Sequence, residues 1–319
     1  MTADTVTVVH LSDVHLGPLP RVPLELLNVK RAAGAVNWYH RRRHLQLPHV
    51  ATQIARDAVD VAADHIVVTG DLANLGLPSE IARAAAWLAK LGPADRVSVV
   101  PGNHDIYSSL GGKRLGIAAL QPWAGHFKPC AAGAGYGGDA AFPFVRVVGD
   151  GALRVALIGL NSAVETAPLV ATGKLGSEQL EALARILDAT GADGLVRVVM
   201  LHHPPLPGLA RPHHDLIDAP VLADVLRRHG AELVVHGHNH RRMITPVPSA
   251  LGQCVSVGVP SASAGRAREG ETLARSHVFE FSRDGAAGGA RITLTARGLA
   301  KPGGPVVELE RRVLNPAAL

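Results

Sequence analysis

A chain of 319 residues, 47% hydrophobic and 18% charged, carries enough apolar material for a sizeable core, which excludes a disordered or fibrous protein. Only Cys130 and Cys254 are present, which excludes a disulfide framework and a cysteine-type zinc module. The formal net charge of +5 suits a phosphorylated substrate or an anionic surface without demanding either. No apolar run reaches membrane-spanning length and a strand pattern begins almost at once, so the cytoplasm is the expected address.

In chain order, residues 5–11 read as a strand, 49–63 as an amphipathic helix and 65–69 as a second strand. Pro78 and Ser79 open a helix through Ala89 that stops at Gly92-Pro93. Residues 96–100 form a third strand, closed by Pro101-Gly102, and 142–148 and 153–160 flank Gly149-Asp150-Gly151 as a hairpin. Ser177 caps a helix to about Asp188, followed by a strand at 195–201, a helix at 220–229 and a strand at 231–236. Helices then cease. Residues 243–247, 253–258, 277–282, 290–296 and 305–313 read as strands, with 131–138 a surface loop and 285–289 a hairpin turn. The expectation is one domain over residues 1–319, with two sheets sharing a core and helices outside. Residues 264–319 are expected as a β extension of the second sheet.

Residues 18–48 interrupt this pattern. They hold Lys30, Arg31, Arg41, Arg42, Arg43 and His44 beside Leu26, Leu27, Val29, Val36, Trp38 and Tyr39. Two readings stand: a surface insertion whose arginines are simply solvated, or a basic amphipathic cap that holds phosphate or rests on an anionic membrane.

Five short clusters each follow an apolar run: Asp13-Val14-His15, Gly70-Asp71, Gly102-Asn103-His104-Asp105, His202-His203-Pro204-Pro205 and Gly237-His238-Asn239-His240. Ligands at strand ends let distant loops converge on one point. Asp13 and His15, two apart on an extended segment, point to the same side and can chelate a metal such as manganese, iron or zinc. His238 and His240 repeat that spacing. Asp71 at a strand end can bridge two metals, Asn103 offers a neutral carbonyl oxygen, and Pro204-Pro205 stiffens the chain beyond His202. Any one cluster alone could be a turn; five in this order are not a coincidence.

These residues resemble the calcineurin-like metallophosphoesterase superfamily over roughly residues 5 to 263, including Val257-Gly258-Val259-Pro260-Ser261. The resemblance implies an α/β fold, a four-layer α/β/β/α sandwich of two mixed sheets with a dinuclear metal site at strand ends. It implies that Asp13, His15, Asp71 and His240 hold one metal, and that Asp71, Asn103, His202 and His238 hold the other. His104 would stand outside the metals as acid catalyst, with Asp105 either orienting it or stabilising the turn. His203 faces substrate or supports a ligand, unless it is a satisfied structural histidine. Two metals activate a bridging water as hydroxide near neutral pH, which attacks phosphorus in line while His104 protonates the leaving oxygen.

Departures narrow the substrate. Ser/Thr protein phosphatases carry Gly-Asp-X-Val-Asp-Arg-Gly and Gly-Asn-His-Glu, whereas this chain has Gly70-Asp71-Leu72-Ala73-Asn74 and ends its third cluster in Asp105. Purple acid phosphatases place a tyrosine ligand where Asn74 stands, so Asn74 is assigned to substrate instead. No dedicated nucleic-acid domain is found. The expected substrate is a small-molecule phosphoester, most similar to those of bacterial class III cyclic-nucleotide and glycerophosphodiester hydrolases. The alternative is a lipid-linked pyrophosphate such as UDP-diacylglucosamine, with peripheral membrane contact through residues 18–48. The stretch 211–218, with His213, His214 and Asp215, is expected to overhang the site. A homodimer is compatible with the sequence. A non-catalytic scaffold is disfavoured because no metal ligand is missing, and a structural zinc protein because its shells would be closed.

Overall fold

The computed structural model describes residues 5–138, 140–252, 254–267, 270–283 and 290–314. Strand β1 (Val6–Leu11) leads into α1 (Val29–Asn37), a π-helical turn (Trp38–Arg42), α2 (Arg43–Leu45) and α3 (Pro48–Asp60). Next come β2 (His65–Val68), α4 (Pro78–Leu91), β3 (Val97–Val99) and a 3-10 segment (Gly116–Phe127). The hairpin β4 (Phe144–Val148) and β5 (Val155–Gly159) precedes α5 (Ser177–Ala192), β6 (Val196–Met200), α6 (Ala219–His229) and β7 (Leu233–His236). The chain closes with β8 (Met243–Pro246), β9 (Val255–Gly258), β10 (Arg275–Arg283), β11 (Ala290–Leu299) and β12 (Val306–Val313).

Two mixed sheets of six strands form, ordered β12-β11-β10-β1-β2-β3 and β4-β5-β6-β7-β9-β8. Helices cover their outer faces, giving the α/β/β/α sandwich. The parallel strands β1, β2 and β3, and β5, β6 and β7, read as continuous apolar runs because both their faces are covered. Val8, Val68, Phe279 and Phe281 of the first sheet share one core with Leu157, Val198 and Val257 of the second. A second core packs α5 and α6 against the other face of the second sheet through Leu183, Leu187, Leu222 and Val199. Pro48 and Pro78 sit at the first turns of α3 and α4, where no intrahelical N–H is lost.

Two expectations are corrected, and one element is new. Residues 264–319 extend the first sheet, not the second: β10 pairs antiparallel with β1, Val8 opposite Phe279, because β1 has an open edge after pairing with β2. Ser177 is the first residue of α5 rather than its cap. Gly176 occupies that position at φ +84°, and the Asp218 carboxylate accepts from the N–H groups of Leu175 and Gly176. The 3-10 segment Gly116–Phe127, with Pro122 inside it, has no counterpart in the sequence reading. The turn expected at 285–289 lies outside the described residues. Among the described residues no helix is long and apolar enough to cross a membrane.

Candidate metal centre

The five clusters meet where the carboxyl ends of β1, β2, β3, β6 and β7 face each other across the two sheets. Backbone bonds lock the loops together: Asp13 N–H donates to Gly70 C=O, His15 N–H to Asp71 C=O and Gly237 N–H to His202 C=O. Ser261 Oγ donates to Asp13 C=O at 2.6 Å, which ties the late Val-Gly-Val-Pro-Ser segment to the first cluster. Gly70 (φ +87°) lies where a Cβ would meet the carbonyl carbon of Pro101 at 2.7 Å, and a Cβ on Gly237 would meet the Ser12 side chain. Only glycine lets these loops approach so closely.

Asp13, His15, Asp71, His238 and His240 all adopt positive φ, between 42° and 70°. The extended geometry expected for Asp13 and His15 is therefore wrong; both are left-handed. Such residues cost on the order of 1–3 kcal/mol each and persist only where their surroundings fix them.

The tautomers are set from outside. Nδ1–H of His15 donates to Ala73 C=O at 3.1 Å and Nδ1–H of His202 to Thr69 C=O at 2.7 Å, which leaves each Nε2 as a lone pair facing inward. His238 donates Nε2–H to His214 C=O at 2.8 Å, turning Nδ1 inward. The inward atoms then crowd together, and in the neutral rings of His15, His202 and His238 none of them carries a proton. His15 Nε2 is 3.3 Å from His240 Nε2, and Asn103 Oδ1 is 3.1 Å from His202 Nε2 and 3.0 Å from His238 Nδ1. Asp13 Oδ1 is buried with no hydrogen bond, 3.2 Å from His240 Nε2. Lone pairs aimed at one another need a cation between them, and this Asp/Asn/His set is what divalent first-row metals take. Asp13, His15 and His240 form one group that could hold a metal, and Asp13, Asp71 and His202 another. The second grouping brings Asp13 nearer the shared region than the sequence reading placed it.

The electrostatics agree with a cation site. Burial works against ionising Asp71, but His202, by its charge and its hydrogen bond, outweighs it and holds the carboxyl well below the usual range. Burial disfavours a charged His202, yet Asp71 overcomes this and pushes its pKa up to about 9. Without a metal, a proton on His202 is the counter-charge that Asp71 attracts.

His104 stands apart. Its Nδ1–H donates to Asn74 C=O at 2.5 Å, and its Nε2 accepts from Arg42 at 2.9 Å. Burial and then Arg42 lower its pKa to about 3, so here the ring is neutral. Tyr107 stacks on it at 5.2 Å, and Lys30 Nζ lies 4.5 Å over the Tyr107 ring. Glu80 accepts from the N–H groups of Asn74, Leu75 and Leu77, fixing the loop whose carbonyl orients His104. Neither Glu80 nor the Asn74 carbonyl carries a sequence signal beyond the helix start at Pro78.

Three assignments change on this geometry. Asp105 does not face His104; its carboxylate accepts from the backbone N–H groups of Asp71, Ala73 and Gly102, the turn-stabilising alternative, and burial with nearby Asp71 raises its pKa to about 7. Asn74 is buried and its side chain donates to Leu16 C=O, so it does not face substrate. Both nitrogens of the buried His203 are bonded, Nδ1 with Ser162 Oγ at 2.8 Å and Nε2 with Ala171 C=O at 3.1 Å. It is a satisfied structural histidine, packed on His238 with ring centroids 4.5 Å apart.

The solvated reading of the 18–48 arginines also fails in part. Arg31 is fully buried and donates to the carbonyls of Leu26, Leu75, Ser108 and Ser109, while Trp38 packs with Leu75, Leu77 and Tyr107. The far end is held by Leu47 N–H donating to Ser263 C=O and Gly265 N–H to Leu45 C=O. The insertion is a cap over the third cluster, and Arg42 reaches under it. Arg41 and Arg43 remain exposed.

The family model for calcineurin-like phosphoesterases matches residues 6–242. The chain belongs to that family. Its members use a pair of divalent metal ions, in keeping with the donor set described above. Among solved structures it is similar to a dimetal phosphatase from Danio rerio, with a TM-score of 0.59, 14% identity and coverage of 95% of this chain and 98% of that one. It is also similar to the purple acid phosphatase PPD1 from yellow lupin (Lupinus luteus) seeds, with a TM-score of 0.58 and 13% identity. That match covers 98% of this chain and 54% of the lupin chain. At these identities the likeness is one of fold. A search of curated protein sequences gave no significant match. As a calcineurin-like phosphoesterase, the chain is a metal-dependent phosphoester hydrolase.

Proposed function

We propose that this phosphoesterase is a phosphodiesterase in which His104 is the general acid. The observation that carries the reading is the separation of roles: seven donors turn inward on one another, while His104 lines the pocket with its Nε2 held by Arg42. Asp13, His15, Asp71 and His240 would hold one metal, and Asp71, Asn103, His202 and His238 the other. When bound, such a pair supplies Lewis-acid stabilisation of the phosphoryl oxygens and a water acidic enough to ionise near neutral pH.

The protein's own groups do the rest. Arg42 lies beside His104 and is positioned to take a phosphoryl oxygen when substrate enters, since its planar guanidinium matches phosphate. Losing that bond frees His104 Nε2, and the negative charge of a bound phosphoester favours its protonation. His104, held by the Asn74 carbonyl, then gives this proton to the departing oxygen as the P–O bond breaks. The pocket is a cleft of about 460 Å³ reaching from Asp71 and Asn103 out to Leu45 and Ala264, roomy enough for both substituents of a diester.

One observation favours a second reading, a lipid-linked pyrophosphate. Leu24, Val29 and Val36 of the cap are 81%, 74% and 59% exposed, and the same cap carries the exposed Arg43, which suits peripheral contact with an anionic membrane. Manganese-loaded protein assayed on bis-p-nitrophenyl phosphate, p-nitrophenyl phosphate, cyclic AMP, glycerophosphodiesters and UDP-diacylglucosamine separates the readings. Activity on the monoester alone would overturn the diesterase proposal.

A further inference from the structure

The pocket over the metal centre is lined by five arginines from four separate segments: Arg41 and Arg42 from the cap, Arg211, Arg241 and Arg266. Outside the metal donors, Glu271 is the one carboxylate among its described lining residues. Arg42 is engaged with His104, but among the described residues Arg41, Arg211, Arg241 and Arg266 have neither an ion pair nor a side-chain hydrogen bond. A charged helix face would place such residues on one element. Here the fold brings them together from segments far apart in sequence, Arg41 from the π-helical turn of the cap and Arg211, Arg241 and Arg266 from later loops. Unpaired like charges gathered in a concave site repel one another, and the repulsion is relieved when an anion enters.

The scissile phosphoester is accounted for by the metal donors, Arg42 and His104. We infer that Arg211, Arg241 and Arg266, with Arg41, form a second anion subsite, and that the substrate carries a second phosphate-type group in the part that is not attacked. The inference rests on the phosphodiesterase reading and deepens it. The substrate class becomes a doubly anionic phosphoester, which a singly charged diester only half fills. Guanidinium groups suit this role because each offers parallel N–H donors to two oxygens of one phosphate.

The test uses the manganese-loaded full chain. Turnover of bis-p-nitrophenyl phosphate is measured first; its absence would overturn the phosphoester reading and the subsite with it. With turnover present, α,ω-alkanediyl bisphosphates are compared with alkyl monophosphates of matching chain length as competitive inhibitors. At one or more lengths the bisphosphate should bind about tenfold or more tightly. That ratio should fall toward one in Arg211→Gln/Arg241→Gln and in Arg266→Gln. Because each ratio is taken within one variant, a general loss of activity does not affect it. Equal inhibition by the paired compounds at every length in the wild type, or a ratio unchanged in both variants, would overturn the subsite while leaving the phosphodiesterase reading intact.

Discussion

Arg42 donates a hydrogen bond to Nε2 of His104 across 2.9 Å, although the two lie 62 residues apart and one belongs to an insertion. On the proposed mechanism the bond places a cation at the atom that delivers the proton, so that substrate phosphate would draw Arg42 away and be held by it. Arg42→Ala should lower kcat/KM for bis-p-nitrophenyl phosphate by about 10²-fold, the usual loss when one charge-stabilising donor is removed. Arg42→Lys should recover part of this, and Arg43→Ala, an exposed change, should match wild type. Steady-state kinetics check all three.

Asp71 draws together His15 and His202, with carboxylate-to-ring distances of 3.7 and 3.5 Å. Asp71→Ala should lose metal as well as turnover, whereas Asp71→Asn should keep the fold and bind metal more weakly. Elemental analysis after gel filtration measures both. A metal-replete Asp71→Ala protein would count against a shared ligand.

Arg31 ties the cap to the loop that carries His104. Replacing it with methionine leaves the carbonyls of Ser108, Ser109 and Leu75 without their donor, at a cost of about 1–3 kcal/mol. Arg31→Met should lower the melting temperature and also reduce turnover, because Arg42 is carried on the same cap. Turnover at the wild-type level in a destabilised variant would separate cap anchoring from catalysis.

His65 and His277 are buried and neutral, each with a pKa lowered to about 3, mainly by burial. The unfolded chain takes up these protons near pH 6.5, while the folded chain does not. Their contribution to stability is therefore complete above about pH 6.5 and falls as pH drops toward 3, by about 1.4 kcal/mol per histidine per pH unit. Urea unfolding at neutral and mildly acid pH should show this slope. His277→Phe should flatten it relative to wild type, and an equal slope in the two proteins would refute the assignment.

The strands and helices were legible because apolar runs and Pro/Gly punctuation are local signals, and Pro48, Pro78 and Gly92 act within a few residues. The donor set was legible because Asp, Asn and His at strand ends have few other uses in that order. What the sequence hid is non-local. The left-handed backbone of Asp13 and His15 depends on bonds to Gly70 and Asp71. The partner of β10 depends on which edge of β1 is open. His203 is silenced by Ser162, 41 residues away, and Asp105 is diverted from His104 by three backbone N–H groups of neighbouring loops. Arg42 looked like one of three equivalent arginines until the cap folded over His104.

The central claim is that donors and acid are distinct, and one comparison tests it most directly: metal content and turnover of His104→Ala against wild type, both loaded with manganese. The expected result is the same two metals per chain in each protein, with turnover on bis-p-nitrophenyl phosphate reduced about 10²- to 10⁴-fold in the variant. Normal turnover in His104→Ala, or loss of a metal along with activity, would contradict it.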